Sequence, residues 1–493
     1  MARAVGLALE VAAAGWYMIG IMKRRSRRAA SLAVLAALTT TGAGAQTAQE
    51  VILRAKPAAV LVTARVDAEV TLSCGAGATT VTPAPFVETG TGWVVDGRGW
   101  VVTNAHVVDP AHTAPPWVVH ELKRKAVDQA CVAPVLARQG LRRGQRPDVE
   151  DQIRATVDLG KVEAKVAPAV MVMLSNGRTV RGDVTKFSPP LLLDAGGKPL
   201  PESGRDLALL RIPDGTYPAL AAARSDPRIG DPIHVIGFPG VVLAHELLGK
   251  TASVEASVTN GSVSGVRQDA IGQDVIQTDA PAAHGNSGGP AIGQDGTVVG
   301  VLTFVSLSAG GDVVQGFNFL IPARDVTKFL AGTDVRAGES RFNAAWTAGL
   351  MDLAGDRYAR ALAALREADA LMPGQPDVKR ALQEADAKVK NPPPRPLPWA
   401  WITLALVVAS GGGYGALAYR RWRNNRFRIK AKDVARMMEE GANPMLLDVR
   451  QPSAVTQSAL RIPGARYIAP DALEKGQLNL DADPARTVVA YCT

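Results

Sequence analysis

Aromatic residues make up only 5% of this 493-residue chain, and histidine and cysteine are rare, with six and three copies. Three cysteines allow at most one disulfide, and six histidines leave few candidates for a base working near neutral pH. Glycine and proline are plentiful instead, at 48 and 33 copies, and short strand-like runs between turn signals dominate the middle of the chain. That pattern predicts an all-β core there. The length is too great for one ordinary domain.

Unbalanced charge is also lacking outside two places. The net charge is +9, but Lys23, Arg24, Arg25, Arg27 and Arg28 form one basic cluster, and Arg420, Arg421, Arg423, Arg426, Arg428, Lys430 and Lys432 form another. Both flank hydrophobic segments, and the remainder is close to neutral. The clusters therefore read as membrane-topology signals, and no phosphate-binding face for nucleic acid is expected.

Residues 23–45 have the layout of a secretory signal: basic residues, an apolar stretch, then Ala43-Gly44-Ala45 as a small-residue cleavage site before Gln46. Residues 1–22 are apolar but interrupted by Glu10, and initiation at Met22 is the preferred start; an uncleaved anchor stays open. Residues 397–419 carry no charge and are long enough to span a bilayer. Trp399 and Trp401 stand at one end of this run, and Tyr414 and Tyr419 near the other, where amphipathic rings settle at membrane interfaces. The basic cluster that follows places residues beyond Arg420 in the cytoplasm and residues 46–396 outside it. In a Gram-negative bacterium this means an inner-membrane anchor with the main domain in the periplasm. Cys74 and Cys131 then share an oxidising compartment, where they either pair or stay free, and Cys492 lies on the other side.

Within residues 46–335 the β pattern is broken by a charged, helix-permissive insertion at about residues 110–160. Residues 340–390 change to helical periodicity. Gly349, Ala361, Leu365, Ala368 and Pro373 match a tetratricopeptide-like hairpin, and a plain helical spacer stacked on the preceding domain fits equally. Asn391-Pro392-Pro393-Pro394 reads as a stiff connector.

Three signals carry chemistry. Gly285-Asn286-Ser287-Gly288-Gly289-Pro290 puts a serine in a glycine-rich turn, where the N–H groups of Gly285 and Ser287 can converge as an oxyanion hole. Asn104-Ala105-His106-Val107-Val108 places a histidine at a strand end, and Asp206 opens the apolar run Leu207-Ala208-Leu209-Leu210. Amide hydrolysis needs a nucleophile, a base and an orienting carboxylate. The order His106, Asp206, Ser287 is that of the chymotrypsin-like β-barrels rather than the subtilisin or α/β-hydrolase arrangements.

Gly90-Thr91-Gly92-Trp93-Val94-Val95, Val102-Thr103-Asn104-Ala105-His106, Asp206-Leu207-Ala208-Leu209-Leu210, Gln277-Thr278-Asp279-Ala280 and the serine loop together resemble the HtrA-like trypsin-like proteases, as does Gly316-Phe317-Asn318-Phe319-Leu320-Ile321-Pro322. The resemblance spans about residues 51–330. It implies two six-stranded β-barrels with a His106–Asp206–Ser287 triad in the cleft, no metal or cofactor, and cleavage of polypeptides. The chain departs from that family in lacking a PDZ-type domain after the protease; helices and a membrane span follow instead. The insertion either covers the cleft or helps assemble a homo-oligomer, and His284 either touches substrate or is a surface residue.

Met445-Leu446-Leu447-Asp448-Val449-Arg450, Arg461-Ile462-Pro463-Gly464-Ala465-Arg466 and Val488-Val489-Ala490-Tyr491-Cys492 resemble a rhodanese-like domain over residues 428–493, truncated after Cys492. The resemblance implies a sulfur-carrying nucleophile at Cys492; a docking module without chemistry is the other reading. Two further functions stay open beside the endopeptidase: a protein-binding, chaperone-like module with an idle triad, and a sulfurtransferase with the protease domain as sensor.

Overall fold

The structure is a computed structural model and describes residues 47–492, apart from residues 76, 195, 244–254, 308–312, 339, 395–397, 458–459 and 476–485. The signal segment expected over residues 23–45 lies outside the described residues. The chain divides into two compact units, meeting between Pro393 and Pro394.

The first unit opens with helix α1 (Ala48–Ala55). Thr47 and Glu50 close a reciprocal capping box: the Glu50 N–H donates to Thr47 Oγ1 at 3.3 Å and the Thr47 N–H to Glu50 Oε2 at 3.0 Å. Strand β1 (Ala59–Ser73) follows, with burial that alternates along its second half as expected for a strand with one face on a core. After β2 (Ala78–Val81), β3 (Phe86–Asp96) and β4 (Trp100–Thr103) comes the helical insertion. It contains α2 (Ala105–His112), α3 (Pro116–Val127), a π-helical turn at Asp128–Val132, α4 (Ala133–Arg138) and α5 (Pro147–Ala155). Two local ties meet at the π turn. Asp128 is buried and accepts from Arg154 Nε at 2.6 Å, and Cys131 is disulfide-bonded to Cys74, just after β1.

Strands β5 (Glu163–Met173), β6 (Thr179–Ser188) and β7 (Leu207–Arg211) complete the first barrel. The circuit β1-β3-β4-β7-β6-β5 closes through β1–β5 pairing, and β2 extends from β1. Strands β8 (Pro232–Gly237), β9 (Ser257–Gln268), β10 (Asp274–Thr278), β11 (Pro290–Ile292), β12 (Val298–Leu307) and β13 (Val313–Pro322) form a second closed barrel. Both are antiparallel six-stranded barrels, as the resemblance implied. Closure pairs each strand on two sides over part of its length and so fixes its register. Valine, leucine, isoleucine and alanine fill them, among them Val62, Val101, Val172 and Leu210 in the first and Ile233, Ile276, Leu302 and Leu320 in the second. Among the described side chains of the barrel strands, Trp93 is the one fully buried aromatic.

Helix α6 (Ala323–Leu330) leads out of the second barrel to α7 (Arg341–Ala354), α8 (Tyr358–Leu371) and α9 (Pro376–Lys390). These last three pack against each other and onto the first barrel's core, with Phe342, Trp346 and Leu365 buried. Gly349 faces Leu365 so closely that a Cβ there would lie 2.6 Å from Leu365 Cδ2, which explains a small residue at that crossing. The Trp346 indole N–H donates to the Leu53 carbonyl at 2.8 Å. Glu255 accepts from Arg380 at 2.8 Å and from Lys56 at 3.1 Å. Those two cations, Arg380 foremost, hold its carboxyl down to about 2 against the opposing effect of burial.

The second unit contains α10 (Trp399–Asn425), α11 (Ala431–Glu439) and a parallel three-stranded sheet in the order β15 (Arg466–Tyr467), β14 (Met445–Asp448), β16 (Val488–Tyr491). Among the described residues, α10 is the one helix long and apolar enough to cross a membrane, with a mean hydropathy of 1.5, and none of that apolar window is buried. The helix continues past the expected span through Arg420, Arg421 and Arg423.

Candidate active site

Each candidate residue sits beside a strand or in a loop between two strands. His106 lies in the first turn of α2, directly after β4, and Asn104 is its N-cap. Asp206 precedes β7 in a left-handed conformation, φ 55°, which an aspartate adopts at some cost and keeps only when its surroundings impose it. The imposition is visible. The Asp206 N–H donates to the Pro189 carbonyl at 2.9 Å, and Asn104 Nδ2 donates to the Asp206 carbonyl at 2.8 Å. The neighbouring Arg205 reaches Asp325 at 2.7 Å and Asp269 at 3.3 Å, tying this loop to α6 and to the β9–β10 turn of the second barrel.

The structure brings His106 and Asp206 into direct contact. His106 Nδ1 meets Asp206 Oδ2 at 2.8 Å, while the His106 backbone N–H donates to Asp206 Oδ1 at 2.9 Å. A carboxylate can only accept, so Nδ1 carries the proton and Nε2 is left as the open ring nitrogen. Thr303 Oγ1 donates to Asp206 Oδ2 at 2.6 Å from β12. Burial of His106 disfavours its charged form, but Asp206, through charge and hydrogen bond, outweighs it, and Glu88 adds to the same effect. The His106 pKa is therefore raised above the ordinary 6.5.

Ser287 stands in the glycine loop between β10 and β11. Gly285 has φ +97° and a Cβ there would lie 2.5 Å from the Phe238 carbonyl oxygen, so both backbone and space demand glycine. Gly288, at φ +85°, is pressed against the Thr91 carbonyl and the Thr103 hydroxyl. Thr91 stitches the loop to the first barrel: its N–H donates to the Ser287 carbonyl at 2.8 Å and its hydroxyl to the Gly285 carbonyl at 2.7 Å. The His284 carbonyl is held by the Gly240 N–H at 2.8 Å. In a planar trans peptide the following N–H points the opposite way, so the Gly285 N–H is turned away from Gly240. Among the described residues, the Gly285 and Ser287 N–H groups have no hydrogen-bond acceptor. Ser287 Oγ donates to the Thr303 carbonyl at 3.2 Å.

Residues 90–301 match the family model of the trypsin-like peptidase domain. The chain carries a trypsin-like peptidase domain. Over 135 residues it is 38% identical to the serine protease Do-like HtrA of Bacillus subtilis, an alignment covering 25% of this chain and 27% of that protein. Over 119 residues it is 35% identical to the probable periplasmic serine endoprotease DegP-like of Chlamydia pneumoniae, covering 24% of this chain and 22% of that one. The chain thus spans about a fifth to a quarter of the length of the curated relatives it matches. A crystal structure of the serine endoprotease from Yersinia pestis aligns with 57% of this chain and 65% of that chain at 20% identity, with a TM-score of 0.31.

Two residues of the trypsin-like peptidase domain's cleft carry no sequence mark. Thr303 lies in an apolar strand run, and nothing local shows that its hydroxyl meets a carboxylate 97 positions earlier. Glu88 pairs with His284 Nε2 at 3.1 Å, although the two are far apart in the chain. Cys74 and Cys131 lie in contact, with Cα atoms 5.6 Å apart, and Cys492 is an exposed free thiol. Among the described residues, no group of three or more histidine, cysteine or acidic side chains is placed to hold a metal ion.

Proposed function

We propose that this chain is a membrane-anchored serine endopeptidase that cleaves polypeptides through His106, Asp206 and Ser287. The observation that carries the reading is the two-point grip of Asp206 on His106, at ring and backbone, beside a serine in a glycine loop with two open N–H donors. Ser287 Oγ attacks the scissile carbonyl after a χ1 rotation from Thr303 toward His106 Nε2. His106 takes the hydroxyl proton and later gives it to the leaving amine, while Asp206 fixes the tautomer and balances the imidazolium. The Gly285 and Ser287 N–H groups receive the oxyanion of the tetrahedral intermediate. No step requires a metal or cofactor.

The finer assignments belong to the same proposal. Helix α10 serves as the anchor, with the peptidase domain on the periplasmic side and the parallel sheet, a rhodanese-like module carrying Cys492, in the cytoplasm. Its length and hydropathy support this, as does the basic cluster at its end. Helices α7 and α8 form a tetratricopeptide-like hairpin. The test is labelling by a serine-reactive fluorophosphonate together with casein digestion. Wild type is expected to label and to digest; Ser287→Ala is expected to do neither, and equal turnover by the two refutes the reading.

A further inference from the structure

Strand β3 brings a carboxylate to the edge of the cleft. Glu88 stands two residues before Gly90, and the alternation of a strand puts both on one face. That face looks onto the catalytic elements: a Cβ at Gly90 would lie 2.5 Å from Val107 Cγ2 and 3.1 Å from the Ser287 carbonyl oxygen. The Glu88 carboxylate is directed the same way from one pleat further out, and it meets His284 Nε2 at 3.1 Å. His284 immediately precedes the oxyanion glycine. The pair therefore bridges the two barrels beside the nucleophile, from β3 of the first to the serine loop of the second.

The two partners are not equally fixed. The His284 side chain is 77% exposed and that of Glu88 25%. An imidazole held from the solvent side by one polar contact is easily displaced, whereas the half-buried carboxylate stays where the strand puts it. Next to it lies an open strand edge. Residues 86–91 of β3 pair with β1 on one side, and β4 takes the other side only from Gly92 onward. Phe86 and Trp117 of α3 border this edge, packed edge-to-face with centroids 5.2 Å apart, and Trp117 and Val87 are exposed.

We propose that Glu88 selects polypeptides bearing lysine or arginine directly after the scissile bond, the cationic side chain replacing His284 on the carboxylate. The occupant is the leaving-group half of the substrate, laid along the open edge of β3 and bordered by Phe86 and Trp117. Two features assign it that half. The open edge ends at Ser287 and is continuous with the cleft, and it lies on the barrel that carries His106, the group that hands a proton to the leaving nitrogen. The acyl half is left to the β12 side, where Thr303 stands. This inference rests on the endopeptidase reading and adds its substrate preference.

The test uses the full chain and peptides that differ only in the residue after the cleaved bond, lysine, glutamine or glutamate. Wild type is expected to favour lysine over glutamine by about five- to tenfold in kcat/KM, with glutamate below both. Glu88→Gln, which keeps the shape and removes the charge, is expected to level the three, and His284→Ala to retain the order. A wild type without preference, or a Glu88→Gln enzyme with the wild-type preference, overturns the assignment. Fluorescence anisotropy of the same labelled peptides on Ser287→Ala and on Ser287→Ala/Glu88→Gln reads the selection without turnover. The lysine peptide is expected to bind the first more tightly and to lose that advantage on the second; equal binding by all three peptides to both overturns the proposal. If Ser287 is not a nucleophile the cleavage arm is silent, and the binding arm still decides the role of Glu88.

Discussion

The two barrels hold their shares of the cleft by different means. The first contributes side chains: His106 and Asp206, hydrogen-bonded to each other, with the Asn104 side chain holding the Asp206 carbonyl where the backbone is left-handed. The second contributes backbone: a loop whose glycines at 285 and 288 take positive φ values and press against neighbouring carbonyl oxygens. The first half depends on charge, and its geometry is expected to survive an isosteric change. The second depends on space, and it has no room for one added carbon. Thr303 and Thr91 join them, each reaching across from one barrel to a functional residue of the other.

The largest effect is expected from removing the charge in the first barrel. Asp206→Asn should lower kcat/KM on the order of 10⁴-fold while leaving the fold intact. The pH profile sharpens the point. The proposed base His106 can accept a proton only when neutral, and its pKa is raised, so wild-type activity should rise with pH through a limb above 6.5. In Asp206→Asn the main influence raising that pKa is gone and burial remains. The limb should then move to lower pH, and a limb unmoved in kcat/KM measured across pH contradicts the electrostatic account.

The second barrel should fail through shape. Gly288→Ala adds no charge, yet its Cβ would run into the Thr91 carbonyl and the Thr103 hydroxyl. Activity should fall on the order of 10²- to 10³-fold, because displacing the loop would misalign the proposed oxyanion donors. Titration of active sites with a fluorophosphonate measures it, and near-native labelling breaks the comparison.

The smallest effect on catalysis belongs to the disulfide, which serves the first barrel alone. Cys74 and Cys131 are 57 positions apart, and closing a loop of that length is worth about 4 kcal/mol in the chain-entropy account. The double Cys→Ser variant should melt at a lower temperature in thermal denaturation. Its kcat/KM at 25 °C should match wild type, since neither cysteine touches the cleft residues.

Much of this arrangement is legible along the chain. Alternating burial in β1, the glycines of the serine loop and the order His106, Asp206, Ser287 are all local or ordinal features. Helices α3 and α5 of the insertion begin at Pro116 and Pro147, where proline is tolerated in a first turn. That His284 meets Glu88 and that Asp206 also meets Thr303 is not legible, because a strand's period tells which face a residue occupies and says nothing about what stands opposite.

The sequence by itself determined which residue types stand at the ends of strands, where glycine relieves the backbone, and where an uncharged run could cross a membrane. Those are properties of neighbours in the chain, governed by backbone sterics and hydropathy. Only the tertiary structure decided that Thr303 meets Asp206, that Arg205 clamps the aspartate loop to the second barrel, and that Glu88 meets His284. These contacts join residues tens to hundreds of positions apart. Their geometry follows from how each barrel closes and how the two pack together, and barrel closure fixes all strand registers at once rather than one segment at a time.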